Sequence, residues 1–317
     1  MAKRGLQEEA FEPTPEMLAR AERLEPPSRG FKLPKKYMSY SQVSMYLRCP
    51  RQFYFRYVCD EKRPPGSAMS LGTGTHAAVE MTHHHLVDHA VPAPTEDLLD
   101  HFSDSFEAAI EDVEAETWEK DGVTPGSLKD MGARLVRLYN TQWAPSVRPQ
   151  VLDVNGKEVR GIEKKFEVDV AGVPMLGFID LIDTNDASLT TSDAERAVLQ
   201  QQGTDVPEAM RTVVSDFKTR AKSASQTDLD NDMQLTLYSF AMKIPAVRLD
   251  LLLKQKVPKF RRVSSSRQTA DHLWLKEVVH GVATAVTAGV FPPCDPLAWV
   301  CSERWCGFYA DCRGKKR

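Results

Sequence analysis

Long hydrophobic runs are missing from this 317-residue sequence: no stretch approaches the roughly 20 apolar residues that a membrane-crossing helix needs. A helical membrane protein is therefore not expected. The opening residues, MAKRGLQEEAFEPTPEM, hold none of the apolar core of a secretory signal, so the expectation is an intracellular, cytoplasmic protein. Cysteines number six, and in a reducing compartment they are not expected to form a disulfide framework. Excess charge of one sign is also absent, with 41 basic against 44 acidic residues and a net charge of −3. That balance neither supports nor excludes a nucleic-acid partner, because local patches outweigh the sum. No internal repeat is visible. What remains is a hydrophobic fraction of 42%, enough for one large domain or two small ones.

Residues 1–37 are rich in charge and proline and read as a mobile arm, leaving 38–317 as a single domain. Ser39 followed by Gln42 fits a capping box. Val43, Tyr46, Leu47, Phe53, Tyr54 and Tyr57 then recur at helical spacing across Pro50, which must kink or divide the helix. SLGTGTHAAVEMTHHH reads as a small-residue turn that becomes a helix with His76 and Glu80 on one face. A helical insertion is expected over about 92–150. It includes an acidic amphipathic helix at 95–120 and another at 127–143. From Gly161 the period changes to two. GIEKKFEVDV and VPMLGFIDLID read as a pair of strands, with Leu176, Phe178, Asp180 and Ile182 on one face. A polar loop at about 184–211 leads to a third strand. A helix with Gln234 and Tyr238 four apart, the strand VRLDLLLKQK and a last helix at 271–289 complete an α/β layer.

The third strand, TVVSDFKTR at 212–220, carries Asp216 and Lys218 two apart and so on one face. A solvated ion pair is the ordinary explanation of such a pattern. Asp180, however, sits in the preceding strand, and two carboxylates on neighbouring strands repel unless a cation lies between them. Hard divalent cations take oxygen ligands, and Mg2+ combines one or two carboxylates with substrate phosphate oxygens. A lysine beside such a cation can orient or deprotonate a water, which suits phosphodiester hydrolysis.

Asp180 followed by Asp216-Phe217-Lys218 resembles the PD-(D/E)XK nuclease signature. LGTGTHAAVE resembles the histidine motif of the RecB-like exonuclease branch, and QLTLYSFA resembles its QxxxY motif, carried by Gln234 and Tyr238. The resemblance implies a restriction-endonuclease-like core, a mixed central sheet flanked by helices. It implies that His76, Asp180, Asp216 and the Phe217 carbonyl bind Mg2+ or Mn2+, with Asp180, Asp216 and Lys218 catalytic. Gln234 and Tyr238 would shape the site near DNA. Glu80 and the run His83–His85 read more simply as helix surface.

Cys301, Cys306 and Cys312 cluster in the tail, and Cys49 begins CPRQFYF near the other end. One early cysteine before proline plus three late ones resembles the iron–sulfur clasp of RecB-like exonucleases and of CRISPR-adaptation nucleases. The resemblance implies one 4Fe–4S cluster on Cys49, Cys301, Cys306 and Cys312, with a structural Zn2+ as the chemical alternative. Cys59 and Cys294 read as spare thiols, although Cys294 could replace Cys49 as fourth ligand. Trp299, Trp305, Phe308 and Tyr309 are expected to pack as core within the clasp segment, 294–312.

Lys254–Arg262 holds five basic residues and no acidic one. Beside a phosphate-cutting site it would form a track for a nucleic-acid backbone, while the acidic segment 96–121 faces away. The resulting expectation is a metal-dependent DNA exonuclease acting on single-stranded ends, in recombination, repair or end processing, in a cell or a phage. Rival expectations are a CRISPR-adaptation nuclease that trims DNA and a cleavage-dead module that binds DNA ends. No membrane partner is expected.

Overall fold

The computed structural model of the protein describes residues 13–28, 30–184 and 212–314. Most of the expected arm lies within that range, whereas the polar loop, apart from Thr184, lies outside the described residues. The chain divides into two compact units. One comprises residues up to 63, 166–177 and those from 267 onward, and the other comprises 64–165 and 178–266.

Seven strands are described, labelled here in chain order: β1 Val151–Val154, β2 Lys157–Arg160, β3 Ile162–Val170, β4 Val173–Asp183, β5 Val213–Arg220, β6 Ala246–Leu253 and β7 Lys259–Ser266. β1 and β2 pair with each other, and the other five form one sheet in the order β3-β4-β5-β6-β7. β4 runs antiparallel to β5, β5 parallel to β6 and β6 antiparallel to β7. The parallel pair needs a crossover, which the helices Gln226–Asp230 and Met233–Met242 provide. Mixed sheet and flanking helices match the expected α/β class.

In the second unit, β6 is buried along its whole length, as a strand covered on both faces should be. Arg248 and Asp250 interrupt its apolar run, and each is paired. Arg248 Nη2 lies 2.9 Å from Asp183 and its Nε 3.2 Å from Asp250, which Arg262 of β7 also holds at 2.9 Å. This ionic row stitches β4, β6 and β7 together. The helices Thr95–Ile110 and Pro125–Gln142 of the expected insertion pack with the preceding helix Ser67–His89. Leu71, Leu98, Phe102, Phe106 and Val136 fill the space between them. Gly132 is required there, because a Cβ on it would sit 2.0 Å from the Phe102 ring.

In the first unit, the capping box forms as expected: Ser39 N–H donates to Gln42 Oε1 at 2.7 Å, and Gln42 N–H donates to Ser39 Oγ at 3.4 Å. Pro50 separates the helix Tyr40–Arg48 from a short turn, Pro50–Phe53, continued by a π-helical turn, Tyr54–Val58. Residues Pro15–Glu22 of the expected arm form a helix, and Arg20 pairs with Glu277 at 2.8 Å.

Three local readings change, and one hairpin is new. SLGTGT is helix from Ser67 rather than a turn; its glycines serve close packing, since a Cβ on Gly74 would meet the Phe102 ring at 3.0 Å. The acidic helix breaks after Ile110 and restarts at Ala115. Glu111 and Asp112 oppose the helix dipole at the first helix's end, whereas Glu116 favours it at the next one's start. The β1–β2 hairpin turns at Asn155-Gly156, with φ of 56° and 76°, the Asn-Gly signal of a type I′ turn. β7 begins inside the basic stretch, at Lys259, where lysine and arginine protect a sheet edge from stray pairing.

Candidate metal and catalytic site

The site residues lie in the second unit. The pairing of β4 with β5 runs from Asp183↔Val213 to Leu181↔Ser215 and goes no further. Asp180 therefore stands where the two strands part. Its Oδ2 accepts the Phe217 N–H at 2.7 Å, taking the place of a strand carbonyl. The Phe217 carbonyl oxygen lies 2.6 Å from His76 Nε2, whose ring meets the Phe217 ring edge-on at 5.5 Å. The helix Ser67–His89 brings His76 there, tied to β5 by Thr75 Oγ1 and Thr219 Oγ1 at 2.9 Å.

Five expected residues thus fall into two contacting groups. His76, Asp180 and Phe217 lie in direct contact, and Lys218 Nζ donates to Asp216 Oδ1 at 2.9 Å. Asp216 is 2% exposed. Burial pushes its carboxyl up to about 7; the Lys218 ammonium works against the rise and the Asp180 charge adds to it. Burial pulls Lys218 down, but Asp216 and Asp180 together outweigh it and hold the ammonium above lysine's ordinary value. Asp232 caps the helix Met233–Met242, accepting from Leu235 N–H at 3.0 Å. One turn in, Gln234 Nε2 donates to the Tyr238 hydroxyl at 2.7 Å. Burial raises the Tyr238 hydroxyl, and the charges of Asp216 and Asp180 raise it further.

The face of β4 that carries Asp180 is open at Phe178 and closed at Ile182, which is 1% exposed. Phe178 is 50% exposed, while Met175, Ile179 and Leu181 on the other face are buried. Leu176, Phe178, Asp180 and Ile182 alternate along β4 and share that face, as expected. The histidine run scatters. His83 is buried against the Tyr139 hydroxyl at 2.7 Å, His84 lies 3.8 Å from Glu80, and His85 meets the Val91 carbonyl.

One residue had no signal in the sequence reading. Glu163, on β3, brings a carboxylate oxygen within 4.8 Å of ligand atoms of His76 and Asp180. Burial, with Asp180 and Glu80 nearby, pushes its carboxyl up to about 6. Its alternating position in GIEKKFEVDV made it look like an ordinary outward strand residue. The donor set of imidazole nitrogen, carboxylate oxygens and a backbone carbonyl suits a hard divalent cation. Burial is the main reason that the carboxyls of Glu163 and Asp216 are raised.

The sulfur cluster lies in the first unit. Burial pushes the Cys294 thiol up to about 12, and Cys49 and Cys301 beside it add to the rise. Burial also raises Cys306, with Cys49, Cys312 and Cys301 contributing, and raises Cys312, with Cys49 and Cys301 contributing. Gln52 Nε2 points at Cys306 Sγ at 3.9 Å, and its buried Oε1 has no partner among the described residues. Cys59 is exposed. Cys49, Cys294, Cys301, Cys306 and Cys312 act on one another electrostatically, and thiols as ligands suit a soft metal. The aromatic reading needs correction: Phe308 is buried and stacks on Phe55, but Trp299 and Trp305 are 64% and 57% exposed. Neighbours on a short turn-rich tail cover only one side of such large rings.

Comparison with known proteins decides the family. Residues 37–194 match the profile of the PD-(D/E)XK nuclease superfamily. The chain carries a PD-(D/E)XK nuclease domain. The match takes in His76, Glu163 and Asp180 and ends before Asp216 and Lys218, so for those two the geometry stands alone. A solved structure from Eubacterium rectale, named provisionally as an exonuclease, is 12% identical, covers 97% of this chain and 96% of its own, and superposes with a TM-score of 0.46. The solved structure of SSO0001 is 11% identical, covers 87% and 95%, and reaches a TM-score of 0.28. Likeness at this level carries no statement of activity. No curated protein matches the sequence.

Proposed function

We propose that the protein is a metal-dependent DNA exonuclease that hydrolyses phosphodiester bonds at single-stranded ends, in recombination, repair or end processing. One observation carries the reading: Asp180, His76 and the Phe217 carbonyl converge on a single point of the sheet, with Lys218 on the same strand as Phe217. His76, Asp180, Asp216 and the Phe217 carbonyl would hold Mg2+ or Mn2+. Bound there, the cation would polarise the phosphoryl oxygen and stabilise the leaving oxygen.

This chain's own groups supply the rest. Lys218 carries its proton in the resting site and stands ready to orient the attacking water and exchange a proton with it. Asp216 holds Lys218 in place, and the Phe217 N–H fixes the Asp180 carboxylate. The Gln234–Tyr238 pair walls the site on the side of the crossover helix. Lys254, Lys256, Lys259 and Arg261 offer charge to a phosphate backbone. Arg262 is already engaged by Asp250.

The same proposal gives Cys49, Cys301, Cys306 and Cys312 a 4Fe–4S cluster with a structural role. Cys49, Cys301 and Cys312 act on Cys306, and Cys294 hydrogen-bonds with both Cys49 and Cys301, so Cys294 stays the alternative fourth ligand. A clasp between residues about 250 apart closes a long loop, where constraint on the unfolded chain is large.

The test is digestion of end-labelled single and double strands with Mg2+ or Mn2+, with EDTA as control. The reading expects EDTA-sensitive shortening that starts at single-stranded ends. Binding of ends without cutting would favour the end-binding module instead.

A further inference from the structure

We propose that Gln52 is a positioning residue of the sulfur centre, donating a hydrogen bond to the Cys306 sulfur and so raising the centre's reduction potential. The proposal rests on the iron–sulfur reading and adds to it a residue that supplies no ligand atom. Gln52 Nε2 lies 3.9 Å from Cys306 Sγ, across 254 residues of sequence. The Phe308 N–H donates to the same sulfur. Cys306 thus faces two N–H donors, one from the backbone beside it and one from a distant side chain.

The surroundings of the amide give it no other task. Its buried Oε1 has no partner among the described residues, and a buried polar group in that state calls for an explanation, a redox role among them. The backbone holds the side chain in place. The Cys49 carbonyl accepts the Gln52 N–H at 3.0 Å, so the first cysteine of the set fixes the residue that reaches the third. The Arg51 N–H donates to the Pro292 carbonyl at 3.1 Å, which ties this turn to the chain just before Cys294. A thiol is a weak acceptor, which suits a distance of 3.9 Å. A metal-bound thiolate carries more charge and draws a donor closer. Hydrogen bonds to the sulfurs are among the levers that set the potential of an iron–sulfur centre. A donor stabilises the electron-rich, reduced state more than the oxidised one, so it raises the potential. The bland alternative is a packing amide that leaves the sulfurs unaltered.

The experiment is a redox titration of the anaerobically purified full-length protein, with the reduced centre read by electron paramagnetic resonance and iron counted per chain. Gln52→Met keeps the side chain's length and removes the donor. Gln52→Lys restores an N–H donor and adds a positive charge. At the potential where half of the wild-type centre is reduced, the ratio of reduced to oxidised centre should be about threefold or more lower in Gln52→Met, the scale of part of one hydrogen bond. In Gln52→Lys the ratio should be at or above that of wild type. If Gln52→Met does not hold iron, Gln52→Leu replaces it, and the same fall is expected. An unchanged ratio in the variant without the donor, with iron retained, overturns the proposal and leaves the iron–sulfur reading standing. An equal fall in Gln52→Lys, or loss of iron from both Gln52→Met and Gln52→Leu, overturns it in favour of packing alone. Wild-type protein without iron overturns the two readings together.

Discussion

Among the described residues Arg248 is the largest side chain that is completely buried, and its removal should be costly. Its guanidinium gives Asp183 a hydrogen bond of 2.9 Å and Asp250 one of 3.2 Å, both fully within the interior. Arg248→Met keeps the apolar stem and deletes both bonds. Asp183 then loses its guanidinium partner, although it still accepts the Arg148 N–H at 3.1 Å, and Asp250 falls back on Arg262 and Ser215. Breaking a buried pair from one side typically costs about 3 to 5 kcal/mol. Two charge-assisted hydrogen bonds at about 1.5 to 3 kcal/mol each lead to the same range. Arg248→Lys should recover only part of the loss, because an ammonium cannot reproduce the two-pronged geometry. The consequence reaches the site. Asp183 ends the stretch of β4 whose pairing with β5 leaves Asp180 opposite the Phe217 N–H. Urea unfolding of wild type and both variants, followed by tryptophan fluorescence, measures the cost. A loss below about 1 kcal/mol for Arg248→Met would refute the reasoning and mean that the carboxylates are stabilised without the guanidinium.

His83 makes stability pH-dependent. Burial lowers it to about 3, so the unfolded chain takes up a proton below the usual value of roughly 6.5 while the folded chain does not. Stability should fall as pH drops from about 6.5, with about 2 to 3 kcal/mol lost by pH 4.5 on this account. His83→Gln keeps a donor for the Tyr139 hydroxyl and should show a shallower fall in thermal midpoint over that range. Parallel profiles for the two proteins would rule out His83 as the cause. The cysteines separate by position. After anaerobic purification, alanine at Cys49, Cys301, Cys306 or Cys312 should give colourless or poorly soluble protein, because metal-site free energy becomes folding free energy. Cys59→Ala and Cys294→Ala should stay brown. Stoichiometric zinc without iron in the wild type would end the cluster assignment, and bleaching by Cys294→Ala but not by Cys49→Ala would make the centre local to the tail.

Much of the fold was legible because its elements carry strong local signals. The capping box at Ser39, the period-two pattern of β3 and β4, and the apolar run of β6 each specify an element with little help from elsewhere. The motif residues were legible for a different reason. Asp180, Asp216 and Lys218 are charges inside apolar strands, and a charge that resists burial announces a partner. Glu163 had no such contrast. It lies in a strand whose lysines and glutamates mix with apolar residues, and its place beside His76 and Asp180 shows only in the fold. Arg248 and Asp250 were equally silent, since their meaning depends on Asp183 from a strand 65 residues away. The Lys254–Arg262 stretch concealed β7, because charge patterning at a sheet edge and at a nucleic-acid track look alike in sequence. Trp299 and Trp305 show the converse: their size suggested core, and only the sparse packing of the tail leaves them exposed.

The central claim is that Lys218, poised beside Asp216 and Asp180, serves the attacking water in a metal-dependent cut. Its most direct test is the single-turnover rate on 5′-labelled single-stranded DNA with saturating Mn2+, measured for wild type and Lys218→Ala, with DNA binding measured on the same samples. The account predicts EDTA-sensitive cleavage by wild type, a Lys218→Ala rate lower by about 100-fold or more, and unchanged DNA binding. Cleavage by Lys218→Ala at close to the wild-type rate, or no cleavage by wild type at all, would contradict it.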